Sequence, residues 1–118
     1  IRIVPIPGAS AISTLLSIAG IGTDKFLFLG YPPHKKGRKK FFEEVVASKH
    51  SALFYESPHR IMKSLKEMEA LDPKLFLVVG RELTKQFETI YRGSSKEIQK
   101  KLEENPIKGE FVLLVYSS

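Results

Sequence analysis

From Tyr55 to Arg60 the chain reads Tyr-Glu-Ser-Pro-His-Arg. A carboxylate, a hydroxyl, an imidazole and a guanidinium crowd the point where an apolar stretch, 52–55, gives way to a helical pattern. Such groups can move a proton or bind a polar or anionic ligand. Ser57 has the side chain of a helix cap, and Pro58 suits a first helical position. That spacing puts Arg60 in the first turn, where the helix dipole disfavours a cation by roughly 0.3–1 kcal/mol. Open α/β sheets bind ligands at such strand-to-helix crevices.

A second polar group, Arg81-Glu82-Leu83-Thr84, follows the apolar stretch Leu75–Val79. Both groups are expected at one edge of the sheet, as a cluster of carboxylates and guanidiniums with an imidazole. Two readings stand for it: a ligand site, or an ion-pair network that closes the sheet. A third feature is the run Lys35-Lys36-Gly37-Arg38-Lys39-Lys40, five cations in six residues. It occupies a loop and a helix start, where the dipole prefers acids. Glu43 and Glu44 offset Lys39 and Lys40 only by about 0.2–0.5 kcal/mol per pair. The run is either a solvated face or a phosphate-binding surface, with Tyr31 and His34 placed to stack on a base. A fourth, Pro7-Gly8-Ala9-Ser10-Ala11, offers a close backbone approach and free amides at a helix start, or simply a cap at Ser10.

Elements that alternate must carry these groups. Strands are expected at 1–4, 26–29, 52–55, 75–79, 88–92 and 111–116. Helices are expected at 9–19, after the basic run, at 58–71 and from Ser94 or Ser95 to about Glu104. Phe41/Val45 and Phe42/Val46 repeat at i,i+4 and give the second helix an apolar face. Ile61, Leu65 and Met68 do so for the third. Leu75–Val79, apolar throughout, reads as a central strand covered on both faces, and Gly80–Thr84 reads as the chain leaving it. Glu97 completes a capping box with Ser94. The pattern predicts an α/β, two-layer fold with a mixed, mostly five-stranded sheet.

The chain has 118 residues, enough for one domain with a single core. A formal net charge of +6 favours anionic partners, nucleic acid first among them. There is no cysteine, which excludes disulfides and thiolate metal sites. Three scattered histidines lack zinc-ligand spacing, so no metal is expected. Dinucleotide and P-loop glycine motifs are absent, and no apolar run is long enough to span a bilayer. A cytoplasmic location is expected. Ile1-Arg2-Ile3-Val4 reads as a strand met in its middle, so the chain is expected to be part of a longer one.

Five segments, taken in order, resemble a known family: Val4-Pro5-Ile6-Pro7-Gly8-Ala9-Ser10-Ala11; Gly30-Tyr31-Pro32-Pro33-His34-Lys35-Lys36-Gly37-Arg38; Phe54-Tyr55-Glu56-Ser57-Pro58-His59-Arg60; Arg81-Glu82-Leu83-Thr84-Lys85; and Gly109-Glu110-Phe111-Val112-Leu113. They are similar to the C-terminal half of the bacterial small-subunit ribosomal RNA ribose-2′-O methyltransferases, a branch of the tetrapyrrole methylase superfamily. The resemblance implies one domain over 1–118, with the N-terminal cofactor-binding domain missing. It implies S-adenosylmethionine as cofactor, held in a cleft between the two domains. Residues expected at that cleft are Pro7, Gly8, Ser10, Ala11, Glu56, Leu83, Thr84, Gly109 and Phe111. Small-subunit ribosomal RNA, the chain's own N-terminal domain and a second copy in a homodimer are the implied partners. Lys35, Lys36, Arg38, Lys39 and Lys40 would then clamp RNA phosphates. Glu56 and Glu82 are candidate bases for the ribose hydroxyl, with Arg60 beside them, although charge neutralisation by Arg60 or Arg81 explains them equally well. Two alternatives remain: a methyltransferase of corrin or porphyrin precursors, and a non-catalytic RNA-binding module.

Overall fold

The computed structural model describes Leu15 and residues 26–83, 86–104 and 108–116, with the side chains of 83 and 86–88 left aside. A five-stranded sheet organises them. Its strands are β1 (Phe26–Phe28), β2 (Ser51–Glu56), β3 (Phe76–Leu83), β4 (Gln86–Ser94) and β5 (Glu110–Val115), in the order β1-β2-β5-β3-β4. β1 and β2 are parallel, and every other neighbouring pair is antiparallel. The mixed sheet expected from the sequence is therefore present. Because β2 and β3 both run against β5, they run alongside each other. The carboxyl ends of β1, β2 and β3 thus meet the start of β5 at one end of the sheet.

Helices α1 (Arg38–Ala47), α2 (Ile61–Leu71) and α3 (Ser95–Glu103) cover one face. α1 buries Phe42 and Val45, with Phe41 and Val46 packed at the margin. α2 buries Ile61, Ser64, Leu65 and Met68, the i, i+3, i+4, i+7 stripe of a helix that owes its stability to packing. α3 buries Ile98 and Leu102, and Ser94 caps it with the expected capping box. Strand alternation supplies the facing residues, among them Ala52 and Phe54 from β2 and Leu77 and Val79 from β3. Leu53, Tyr55, Val78, Val112 and Leu114 point to the opposite face, where Leu15 is fully buried among them. Leu15 is helical, as expected for 9–19. The rest of that stretch, the first strand and the Pro7–Ala11 segment lie outside the described residues.

Two expectations need correcting. α2 begins at Ile61, not Pro58, with Arg60 in the N-cap position and no side-chain cap. The Glu56 carboxylate takes the Ser57 amide at 2.9 Å. The chain first makes a turn in which the Ser57 carbonyl accepts the amides of Arg60 at 3.1 Å and Ile61 at 3.0 Å. Nor does the chain leave the sheet after Val79. β3 runs on to Leu83 because β5 pairs with it as far as Glu82 and the long β4 as far as Leu83, with a register shift between Arg81 and Glu82.

Candidate functional site

The end of the sheet brings the flagged polar residues together. Glu56 of β2 pairs with Phe111 of β5, and Phe111 pairs with Arg81 of β3. Glu56, Phe111 and Arg81 therefore form one row on the helix-covered face. Glu82 pairs with Glu110 one step further along, on the opposite face. The two polar segments do share one sheet edge, but their carboxylates are divided between its faces.

On the helix face Glu56 is buried, and both its oxygens are used. Oε1 accepts the Ser57 amide, and Oε2 accepts the Ser64 hydroxyl. The guanidinium of Arg38 stands 3.8 Å from Oε2. Arg38 is only 4% exposed, although it sits inside the basic run. Its Nε donates to Glu67 at 2.6 Å, one terminal nitrogen to the Pro33 carbonyl at 3.0 Å, and the other to Ser64 Oγ at 2.7 Å. The plane also stacks over the Phe42 ring, 5.1 Å from its centre. Arg38 is thus occupied inside the protein, and this placement departs from the expected phosphate contact. Gly37 makes it possible, since its φ of 85° lets the chain turn one cation inward between outward-facing neighbours. Lys35, Lys36, Lys39 and Lys40 are all exposed.

Arg60 is half-buried beside this network. It donates to Nδ1 of His34 at 3.3 Å and reaches Ser57 Oγ at 3.5 Å. Arg60 therefore links the turn after β2 to the loop that carries the lysines. His59 is exposed. Arg81 donates to Thr89 on β4 at 3.2 Å, while its Nε is buried and unbonded.

The opposite face of the same end is aromatic and acidic. Tyr31 donates to Glu110 at 2.6 Å and packs against Tyr55, ring centres 5.4 Å apart. Phe28 meets Tyr55 edge-on at 5.6 Å. Burial of the Tyr31 hydroxyl end and the bond to Glu110 raise its pKa above the ordinary phenol value, although the ring is largely exposed. Burial and the nearby Glu82 do the same to Tyr55. Burial raises the Glu82 carboxyl, and Glu110 adds to it. Glu82 Oε2 is buried with no hydrogen-bond partner.

Of the residues expected at a cofactor cleft, Pro7, Gly8, Ser10, Ala11 and Thr84 lie outside the described residues. Leu83 is placed by its backbone at the end of β3. Gly109 is half-buried immediately before β5, whereas the Phe111 side chain is fully buried in the core and offers only backbone to a ligand. Sequence reasoning missed Ser64 and Glu67 as partners of Arg38, and Tyr31 as the partner of Glu110. Ser64 left a signal: it is the polar residue in an otherwise apolar stripe. Among the described residues no group of three or more acidic or histidine side chains is arranged to hold a metal. None of the helices there is long and apolar enough to cross a membrane.

Polar strand ends around a mixed sheet with helices packed on it define a class, and the comparisons agree with it. Residues 1–99 match the family described as Tetrapyrrole (Corrin/Porphyrin) Methylases. The chain belongs to that family. The cobalt precorrin-4 methyltransferase CbiF, a cobalamin biosynthetic enzyme, has a similar fold: TM-score 0.64 and 16% identity, covering 90% of this chain and 48% of that one. The methyltransferase CobJ is similar, with a TM-score of 0.63 and 14% identity over 91% of this chain and 47% of that one. In sequence the chain is 43% identical over 119 residues to the Ribosomal RNA small subunit methyltransferase I of Haemophilus influenzae, and 44% identical over 116 residues to that of Streptococcus pyogenes serotype M1. These alignments cover 98% of this chain but only 42% and 40% of those proteins. The chain thus spans about two fifths of the curated relatives it matches.

Proposed function

We infer that this chain is the C-terminal domain of a cytoplasmic, homodimeric methyltransferase that uses S-adenosylmethionine and acts on a ribose 2′-hydroxyl of small-subunit ribosomal RNA. The observation that carries the reading is the placement of four exposed lysines beside the polar strand ends, in a chain so similar to proteins with that name. The lysines neutralise RNA phosphates and hold the strand against the sheet end. The cofactor supplies an electrophilic methyl group. This chain's own residues fit such a ligand: Tyr31 presents an exposed ring backed by the buried Tyr55, and Glu82 Oε2, which has no hydrogen-bond partner, suits a cation. The backbone at Leu83 and Gly109 frames the same end.

Between the two candidate bases the geometry favours Glu82. Glu56 has both oxygens engaged and a guanidinium beside it, so neither oxygen is open to a ribose hydroxyl. Glu82 has a free oxygen and a raised pKa, which brings it toward the range useful for a base. Arg60 lies on the RNA side and balances charge there. The likeness to the corrin enzymes lies in the fold and does not favour a corrin substrate.

Methyl transfer by the full-length protein to unmodified small ribosomal subunits, against a uroporphyrinogen substrate, tests the reading. Transfer to the RNA is the expected result. Transfer to the tetrapyrrole alone overturns it, and so does salt-dependent RNA binding with no methyl transfer. The 118-residue chain by itself should show no turnover, because its ligand would be open to water on one side.

A further inference from the structure

We propose that Arg38 is a positioning residue: it locks the lysine-bearing loop to the carboxylate at the end of β2, and so sets RNA phosphates at a fixed distance from the reacting end of the sheet. The proposal rests on the RNA-methyltransferase reading. In the basic run one cation is inward and its neighbours are outward. The inward one touches each element that must stay in register. It holds the loop through the Pro33 carbonyl, α2 through Glu67 and Ser64, and β2 through Glu56. Ser64 relays between the charges, accepting from Arg38 and donating to Glu56. Glu56 in turn holds the Ser57 amide, and that turn carries Arg60 to His34 on the lysine loop. The circuit closes on itself. A planar, multiply donating guanidinium can satisfy these partners together; an ammonium cannot.

A buried network of this kind does more than stabilise when one side bears a substrate-binding loop. Small displacements of a bound strand far from the chemistry cost rate more than affinity. A phosphate contact would behave differently, because its removal lowers the salt dependence of RNA binding.

The test uses the full-length protein, a small-subunit RNA segment as binding probe, and methyl transfer at saturating RNA. For Arg38→Met the expected result is a loss of about 10- to 100-fold in kcat, with an unchanged slope of log Kd against log salt. Arg38→Lys should recover only part of the rate. The Arg38→Met/Glu56→Gln double variant should be no slower than Arg38→Met alone, because both act through one network. Ser64→Ala keeps both charges and removes the relay. It should lower kcat in the same direction, and it serves where Arg38→Met fails to fold. A slope shallower by roughly 0.7–0.9 would make Arg38 a phosphate contact and overturn the proposal. So would a reduced Tm with kcat unchanged in Arg38→Lys and Ser64→Ala. Unchanged RNA affinity in Lys35→Glu/Lys36→Glu would overturn the lysine–phosphate contact that the proposal requires, while absence of methyl transfer to RNA by the parent protein would instead overturn the RNA reading on which it rests.

Discussion

Glu82 stands opposite Glu110 where β3 pairs with β5, two carboxylates facing across one register position. Burial, then the Glu110 charge, raises the Glu82 pKa. An acid with a raised folded-state pKa favours folding most when it is protonated. Its contribution is present below the unfolded value, about 4.3, and is lost as pH rises through the raised one. Glu82→Gln keeps the shape and removes the charge. It should raise stability in urea unfolding at about pH 7.5 and do so less at about pH 4. If Glu82 is the base, the same variant should lose methyl transfer. Equal stability changes at both pH values would refute the electrostatic account.

At the start of α3 the sign is opposite. The Ser94 amide donates to Glu97 at 2.9 Å, and Ser94 Oγ accepts from the Glu97 amide at 3.2 Å. The backbone bond from Ser94, then its side chain, lowers the Glu97 pKa. The stabilisation is present above the unfolded value and is lost as pH falls through the folded one. Glu97→Gln should therefore narrow the stability difference between about pH 6 and about pH 3. Ser94→Ala should cost about 0.5–2 kcal/mol at neutral pH. Chemical denaturation at each pH checks both, and an Ala variant as stable as the parent would show the cap to be idle.

The sheet, its helices and the shared polar end were legible because their signals are local: alternation, an i,i+4 stripe, a capping box. α3 and its box fall where Ser94 and Glu97 indicate. What the sequence concealed is pairing across distance. Nothing near Gly80 reveals that β4 extends to Gln86 and keeps β3 in the sheet. Nothing in the run Lys35–Lys40 distinguishes Arg38, because the cause lies in Gly37's backbone and in Glu56, Ser64 and Glu67 far along the chain. Tyr31 looked like a base-stacking residue; its partner Glu110 lies 79 positions away.

The core offers an internal contrast. Leu65 is fully buried on α2, while Leu71 at the end of the same helix is 39% exposed. Leu65→Ala leaves a cavity between α2 and the sheet and should cost about 2–5 kcal/mol. Leu71→Ala should stay within about 0.5 kcal/mol, as exposed positions do. Comparable losses for the two variants would place α2 the other way round on the sheet.

Lys35, Lys36, Lys39 and Lys40 are exposed on a loop and the first turn of α1, where the helix dipole repels them. Their first turn holds no acid to offset the cost. A phosphate backbone would relieve it, because each neutralised phosphate releases counterions from the RNA. Reversal of these four to Glu, with Arg38 left in place, should weaken RNA binding strongly at low salt. The slope of log affinity against log salt should flatten by roughly 0.7–0.9 for each phosphate that is no longer neutralised. Because Arg38 remains, the tie to Glu56 is intact and the fold should melt as the parent does. Titrating RNA into the full-length variant over a salt series provides the measurement. An unchanged slope with an unchanged melting temperature would mean that these lysines form only a solvated face, and that RNA, if bound, is held elsewhere.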